Sequence, residues 1–129
     1  MSNNVQEIKI LGDGKANITI TGETYAAFIQ DVGVSYDNDG PRYDEYRGSG
    51  EGVTFNRNTT LTNVTLPITF AFSFTYSDDG GKTFSPAKRS QKKTEYETDV
   101  VQVYSVTSED ATDNDNDDTV MTLSVHRLS

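Results

Sequence analysis

Near the C-terminus, two runs of alternating apolar residues, Val101 to Val106 and Val120 to Val125, enclose a segment with six carboxylates and no lysine or arginine. It reads Ser108-Glu109-Asp110-Ala111-Thr112-Asp113-Asn114-Asp115-Asn116-Asp117-Asp118. Alternation of period two predicts strands with one face in a core. The acidic segment is then a loop held at both ends, unable to relieve its repulsion by extending into solvent. Carboxylates a few ångströms apart repel and raise one another's pKa. Hard cations remove that cost. Ligation by oxygen, without sulfur or nitrogen, points to calcium, which takes roughly 6–8 oxygen ligands. A merely solubilising loop is the plainer alternative, but the regular spacing of the acids and the flanking strands favour metal.

The spacing Asp113-x-Asp115-x-Asp117 copies the opening of an EF-hand. That loop needs glycine at its sixth position and glutamate at its twelfth. Counted from Asp113, these positions hold Asp118 and Ser124. The flanks also have the period of strands and not of helices. An EF-hand is excluded.

The chain has 129 residues, enough for one domain with a single core. Its net charge of −9 argues against nucleic acid, whose phosphates select basic surfaces. Without cysteine there is neither a disulfide framework nor a zinc-thiolate site. No apolar run approaches the ~20 residues of a membrane-spanning helix. Met1-Ser2-Asn3-Asn4 shows no secretory signal, so the expectation is cytoplasmic synthesis with release outside the cell by another route.

β-Signals run through the chain. Ile8 and Ile10 alternate with polar neighbours, Gly12-Asp13-Gly14 marks a tight turn, and Ile18 and Ile20 alternate again. These features predict an N-terminal hairpin within residues 1–22. Thr24 to Val34 carries consecutive apolar residues without alternation, which fits a buried strand or a short helix, and is read as strand because β signals surround it. Ser35 to Gly50 is predicted to be largely irregular, with a turn at Asn38 to Pro41, and Val53 to Leu66 is predicted as strand. Leu66, Ile68, Phe70, Phe72, Phe74 and Tyr76 form the cleanest alternation and are assigned to the core rather than to a stacking platform for sugars. Ser77 to Lys82 predicts a hairpin turn, and Lys88 to Lys93 a solvated edge. The fold class expected is all-β, an antiparallel β-sandwich of one domain spanning 1–129.

The remaining motifs carry less. Asn17, Asn58 and Asn63 open glycosylation sequons at a frequency chance explains, and His126, the only histidine, lacks a partner for a metal. No set of residues supplies a tuned acid–base pair in a cleft, so no enzymatic activity is expected.

Glu109-Asp110-x-Thr112-Asp113-Asn114-Asp115-x-x-Asp118, followed by Val120, resembles the metal loop of the bacterial calcium-dependent fucose- and mannose-binding lectins of the pseudomonad lectin II type. That family's loop reads Ser-Glu-Asp-Gly-Thr-Asp-Asn-Asp-Tyr-Asn-Asp. The departures are Ala111 for Gly, Asn116 for Tyr and Asp117 for Asn.

The resemblance implies a carbohydrate-binding lectin with two calcium ions per site, both contacted by sugar hydroxyls. It implies Glu109, Asp113, Asp115 and Asp118 as metal ligands, with Asp117 bringing an extra charge among them. Asp110 matches a sugar-contacting acid, and Asp113, Asp115 and Asp118 also face the sugar. The family has an early strand that ends in an asparagine ligand followed by three sugar-contacting residues. Gly33 to Gly40 resembles that strand and turn, which implies Asn38 as a ligand and Asp39 and Gly40 as sugar contacts. In the family the terminal carboxylate reaches the partner subunit's metal site, so Ser129 is the matching group and a homodimer or larger homo-oligomer is implied. The alternative is a calcium-stabilised structural or adhesion module without a sugar site.

Overall fold

The computed structural model describes residues 3–110 and 118–128 of the chain. Nine strands are formed among them: β1 (Val5–Ile10), β2 (Lys15–Asp37), β3 (Pro41–Thr54), β4 (Thr59–Thr65), β5 (Ile68–Ser77), β6 (Ser85–Pro86), β7 (Arg89–Glu97), β8 (Val101–Glu109) and β9 (Thr119–Leu128). All pairings are antiparallel, and no helix occurs among the described residues. The arrangement agrees with the expected all-β sandwich.

β2 belongs to two sheets. Its first half, Lys15 to Thr24, pairs with β4 on one side and β9 on the other, and β8 and β7 follow β9. Its second half, from Ile29 onward, pairs with β5, and β1 lies beyond β5. β3 runs along the other edge of β2 and follows it from one half to the other. Thr65, which pairs with Lys15 at the start of β2, lines the same cavity as Asp37 at its end. The strand therefore bends back between its halves, and both its ends lie at one pole.

The core fills the space between the two halves. Phe70, Phe72 and Phe74 of β5 are buried against Val32 and Val34 of β2. Ile18 and Ile20 of β2, Val106 of β8, and Met121, Leu123 and Val125 of β9 supply the facing layer. Full burial of such side chains contributes about 1.5–3 kcal/mol each relative to exposure. The aromatic row is core, as its alternation indicates.

Two expectations are corrected. β1 and β2 do not form a hairpin. β1 pairs with β5, placing Ile8 opposite Phe70 and Ile10 opposite Ile68, and the Gly12–Gly14 turn carries the chain across to the other half of the sandwich. Ile8 gains an aromatic cross-strand partner that way, and Ile10 an aliphatic one. Nor is the stretch from Ser35 to Gly50 irregular. It forms the end of β2, a short turn and most of β3. Its polar composition is weak evidence against strand, because an edge strand needs only one buried face and a paired neighbour. Tyr46 supplies the buried anchor at 0 % exposure.

Candidate carbohydrate and metal site

The acidic segment leaves β8 at Glu109 and rejoins the sheet at Thr119, and its neck is clamped. The Asp118 N–H donates to Ser108 O at 3.0 Å, and the Asp110 N–H donates to Asp118 Oδ2 at 2.7 Å. From the connection before β7, the Lys88 N–H donates to the carbonyls of Glu109 (2.8 Å) and Asp110 (3.0 Å). The bonds that fix the loop's ends thus come mainly from backbone.

Below the neck lies the corner of β2. Its pairing slips between Thr24 and Tyr25 and again between Ala26 and Gln30, as happens where bulges bend a strand. On its other side the β2–β9 register runs on past Thr24 and Thr119: Tyr25 N–H donates to Asp118 O at 2.9 Å, and the Thr24 hydroxyl donates to the same oxygen at 3.1 Å. Gln30, only 1 % exposed, joins the two ends of the loop. Its Nε2 donates to Asp110 Oδ2 at 3.2 Å, and its Oε1 accepts from the Thr119 hydroxyl at 3.1 Å. A buried amide with both ends engaged fixes one geometry, since neither group can be released without a desolvation penalty.

Three carboxylates converge on this corner. Oxygens of Glu109, Asp110 and Asp118 lie within 4.8 Å of one another, and all three residues are buried. The cation nearest them among the described residues is Arg89, whose Nη2 is 3.7 Å from Glu109 Oε2. Burial, reinforced by the neighbouring Glu109 and Asp110 carboxyls, pushes Asp118 up to about 8 against the pull of the Asp110 N–H. Such a cluster is expensive as anions and suits a hard divalent cation, whose charge offsets the repulsion and whose oxygen preference matches the donors. Beside it opens a cavity of about 240 Å³, lined by Tyr25, Ala26, Ala27, Phe28, Glu51, Asp110 and Asp118.

Of the residues expected in the site, Glu109, Asp110 and Asp118 are brought together. Asp113, Asp115, Asp117 and Ser129 lie outside the described residues. The Asn38 turn is not brought to these three carboxylates. Asn38 stands eight residues beyond Gln30 on an extended strand, roughly 25 Å away at ~3.3 Å per residue. There Asp37, Asn38 and Asp39 line a cavity with Thr65, Pro67, Ile68 and Thr69. The turn is closed on itself: Asn38 N–H donates to Gly40 O, and Arg42 Nε donates to Asn38 O, both at 3.0 Å.

Sequence reasoning missed Thr24, Tyr25, Gln30, Glu51 and Arg89. The available signal was the loss of alternation from Tyr25 to Ile29, which is the corner itself.

The family model for fucose-binding lectin II (PA-IIL) matches residues 8–127. The chain belongs to this family. It is a carbohydrate-binding lectin, and its relatives are binding proteins rather than enzymes. Solved structures share the lectin's fold at low sequence identity. The Ralstonia solanacearum high-affinity mannose-binding lectin superposes with a TM-score of 0.62 at 19% identity, covering 100% of both chains. The Chromobacterium violaceum lectin CV2L, solved with alpha-methyl-fucoside, gives 0.60 at 17%, again over 100% of both. The C-terminal domain of the BC2L-C lectin from Burkholderia cenocepacia gives 0.59 at 19%, covering 95% of this chain and 100% of that one. No curated protein matches the lectin's sequence.

Proposed function

We propose that the lectin binds fucose- or mannose-like sugars through hydroxyls coordinated directly to calcium held by the acidic loop. The observation that carries this is the convergence of Glu109, Asp110 and Asp118 within 4.8 Å, buried, beside an open cavity. Support comes from family membership, since calcium dependence is typical of this family. Glu109, Asp113, Asp115, Asp117 and Asp118 supply the metal ligands, and two ions share the site because these acids exceed what one ion requires. When bound, the ions offer open coordination positions to a pair of neighbouring sugar hydroxyls. Asp110 faces the sugar and accepts a hydroxyl proton in a charge-assisted hydrogen bond. Asn38, Asp39 and Gly40 take no part, being at the far end of β2. The lectin works as a homodimer or larger homo-oligomer, with Ser129 the group that would reach a partner's site.

Calorimetric titration of calcium, followed by fucose and mannose, tests the proposal. Calcium uptake followed by sugar heat, both abolished by EDTA, is the expected result. Sugar binding that survives EDTA removes the calcium-bridged mechanism. Calcium uptake with no glycan bound leaves a stabilising metal alone.

A further inference from the structure

β3 contributes a residue to the cavity that the acidic loop does not account for. Opposite the β2 corner, Ala26 pairs with Gly50, Tyr25 with Glu51, and Thr24 with Val53, so Gly52 is skipped. Gly50 and Gly52 both have positive φ, 110° and 68°, a backbone that side chains with a Cβ rarely adopt. A Cβ on Gly50 would also lie 2.9 Å from Val53 Cγ2. The two glycines let β3 bulge at a single residue between them, and that residue is an exposed glutamate. Paired residues project to the same side of a sheet, and Glu51 indeed lines the same cavity as Tyr25, Phe28, Asp110 and Asp118.

Glu51 stands apart from the metal cluster. The converging oxygens are those of Glu109, Asp110 and Asp118, without Glu51. It forms no salt bridge among the described residues. Its carboxylate is an acceptor in the lining of the same space of about 240 Å³ as Asp110 and Asp118. A space of that size suits one sugar ring better than a drug-sized ligand. Phe28, which also lines it, is held by stacking on Tyr76 at 5.9 Å.

Building on the calcium–sugar function proposed above, we propose that Glu51 is a specificity-determining residue. Its carboxylate accepts a hydrogen bond from a ring hydroxyl that the metal does not hold. Its charge sets a preference for neutral sugars over those bearing a carboxylate.

The test compares wild type, Glu51→Ala and Glu51→Gln by calorimetry, first with calcium and then with whichever of fucose or mannose the wild type binds. Galacturonate or mannuronate is titrated as the acidic counterpart. Calcium affinity and melting temperature should stay within about twofold and a degree or two of wild type, because an exposed side chain off the ligand set is changed. Glu51→Ala should weaken the neutral sugar about tenfold, the scale of a hydrogen bond to a charged acceptor. Glu51→Gln, which keeps the shape, should narrow the neutral-over-acidic ratio severalfold by removing like-charge repulsion. Neutral-sugar affinity unchanged in Glu51→Ala would overturn the proposal, as would an unchanged ratio in Glu51→Gln. Loss of calcium together with sugar would move Glu51 to the metal and overturn it as well. If Glu51→Ala unfolds, the ratio in Glu51→Gln decides. A wild type that binds neither sugar in calcium would overturn the function and this inference together.

Discussion

The corner at residues 25–29 and the turn at residues 38–40 both interrupt the long second strand, and their compositions invert their roles. The turn carries Asn38, Asp39 and Gly40 next to Asp37, the residue types that ligate hard cations. The corner carries Tyr25, Ala26, Ala27, Phe28 and Ile29, which offer no carboxylate or amide. Yet the corner receives the acidic loop, while the turn is exposed and closed by its own hydrogen bonds. Metal-ligating composition therefore does not locate a site. Convergence of separate elements does, and here it comes where the β2–β9 ladder runs on into the neck of the loop through Tyr25 N–H and Asp118 O, with Gln30 bonding Asp110 beside it.

The sharpest way to break this comparison is to disable the loop and leave the turn alone. Asp113→Asn with Asp115→Asn keeps volume and removes two charges. Calcium and monosaccharide binding should both disappear, and calorimetry reads both. Undiminished sugar heat in the double variant would show that the loop is only a solubilising segment.

Removing the metal comes next in size. Excess calcium, at ~100 times its dissociation constant, should stabilise the fold by about 2.7 kcal/mol per independent site. Thermal melts with and without EDTA measure it. A melting temperature indifferent to EDTA would remove calcium from the site.

Gln30 is the buried link between the corner and both ends of the loop. Gln30→Ala leaves Asp110 and the Thr119 hydroxyl without that partner and should cost about 1–3 kcal/mol. It should also weaken calcium binding. Chemical denaturation with an unchanged m-value reads the first effect, and an m-value shift would signal a different change.

The corner should also respond to pH, with a sign that depends on the metal. In the metal-free protein, Asp118 holds its proton up to about 8, whereas an unfolded aspartate releases it near ~4. The folded state then binds the extra proton between those values, so stability should fall as pH rises through that window. Calcium depresses the carboxylates instead, and stability should then be present above ~4 and lost as pH falls through the depressed values. Melts at pH 5 and pH 8 should show stability falling with pH in EDTA and nearly level in calcium, where the loss comes only near and below ~4. Equal slopes would separate the buried acids from the metal.

The smallest effect belongs to the turn. Asn38→Ala changes a half-buried turn residue whose hydrogen bonds in the turn are made by its backbone, and should alter stability by about 0.5 kcal/mol or less. Calcium affinity should stay within twofold. A large loss would return Asn38 to the site.

Much of the fold was legible because its signals are local. Alternation from Leu66 to Tyr76 marked β5 and its buried Phe70, Phe72 and Phe74, and the runs beside the acidic segment marked β8 and β9. The same locality explains the errors. A glycine turn between two apolar pairs reads as a hairpin, but Ile8 and Ile10 pair with Phe70 and Ile68 of β5, about 60 positions away, and are buried there. The polar stretch after Ser35 reads as loop, but β3 is held by pairing along β2.

What the amino-acid sequence determined by itself was the β character, the single core, the acid-rich loop between β8 and β9, and a motif specific enough to resemble one lectin family. Those properties follow from side-chain type and short spacing. What only the tertiary structure decided was which part of β2 faces the loop. Thr24 pairs with Thr119, and Gln30 bonds Asp110, across 95 and 80 positions of chain. Such partners are selected when the whole core packs, because only that packing fixes register and tells a bend from a turn. Gln30 and Glu51 owe their places to that selection, and no local pattern in the chain distinguishes them.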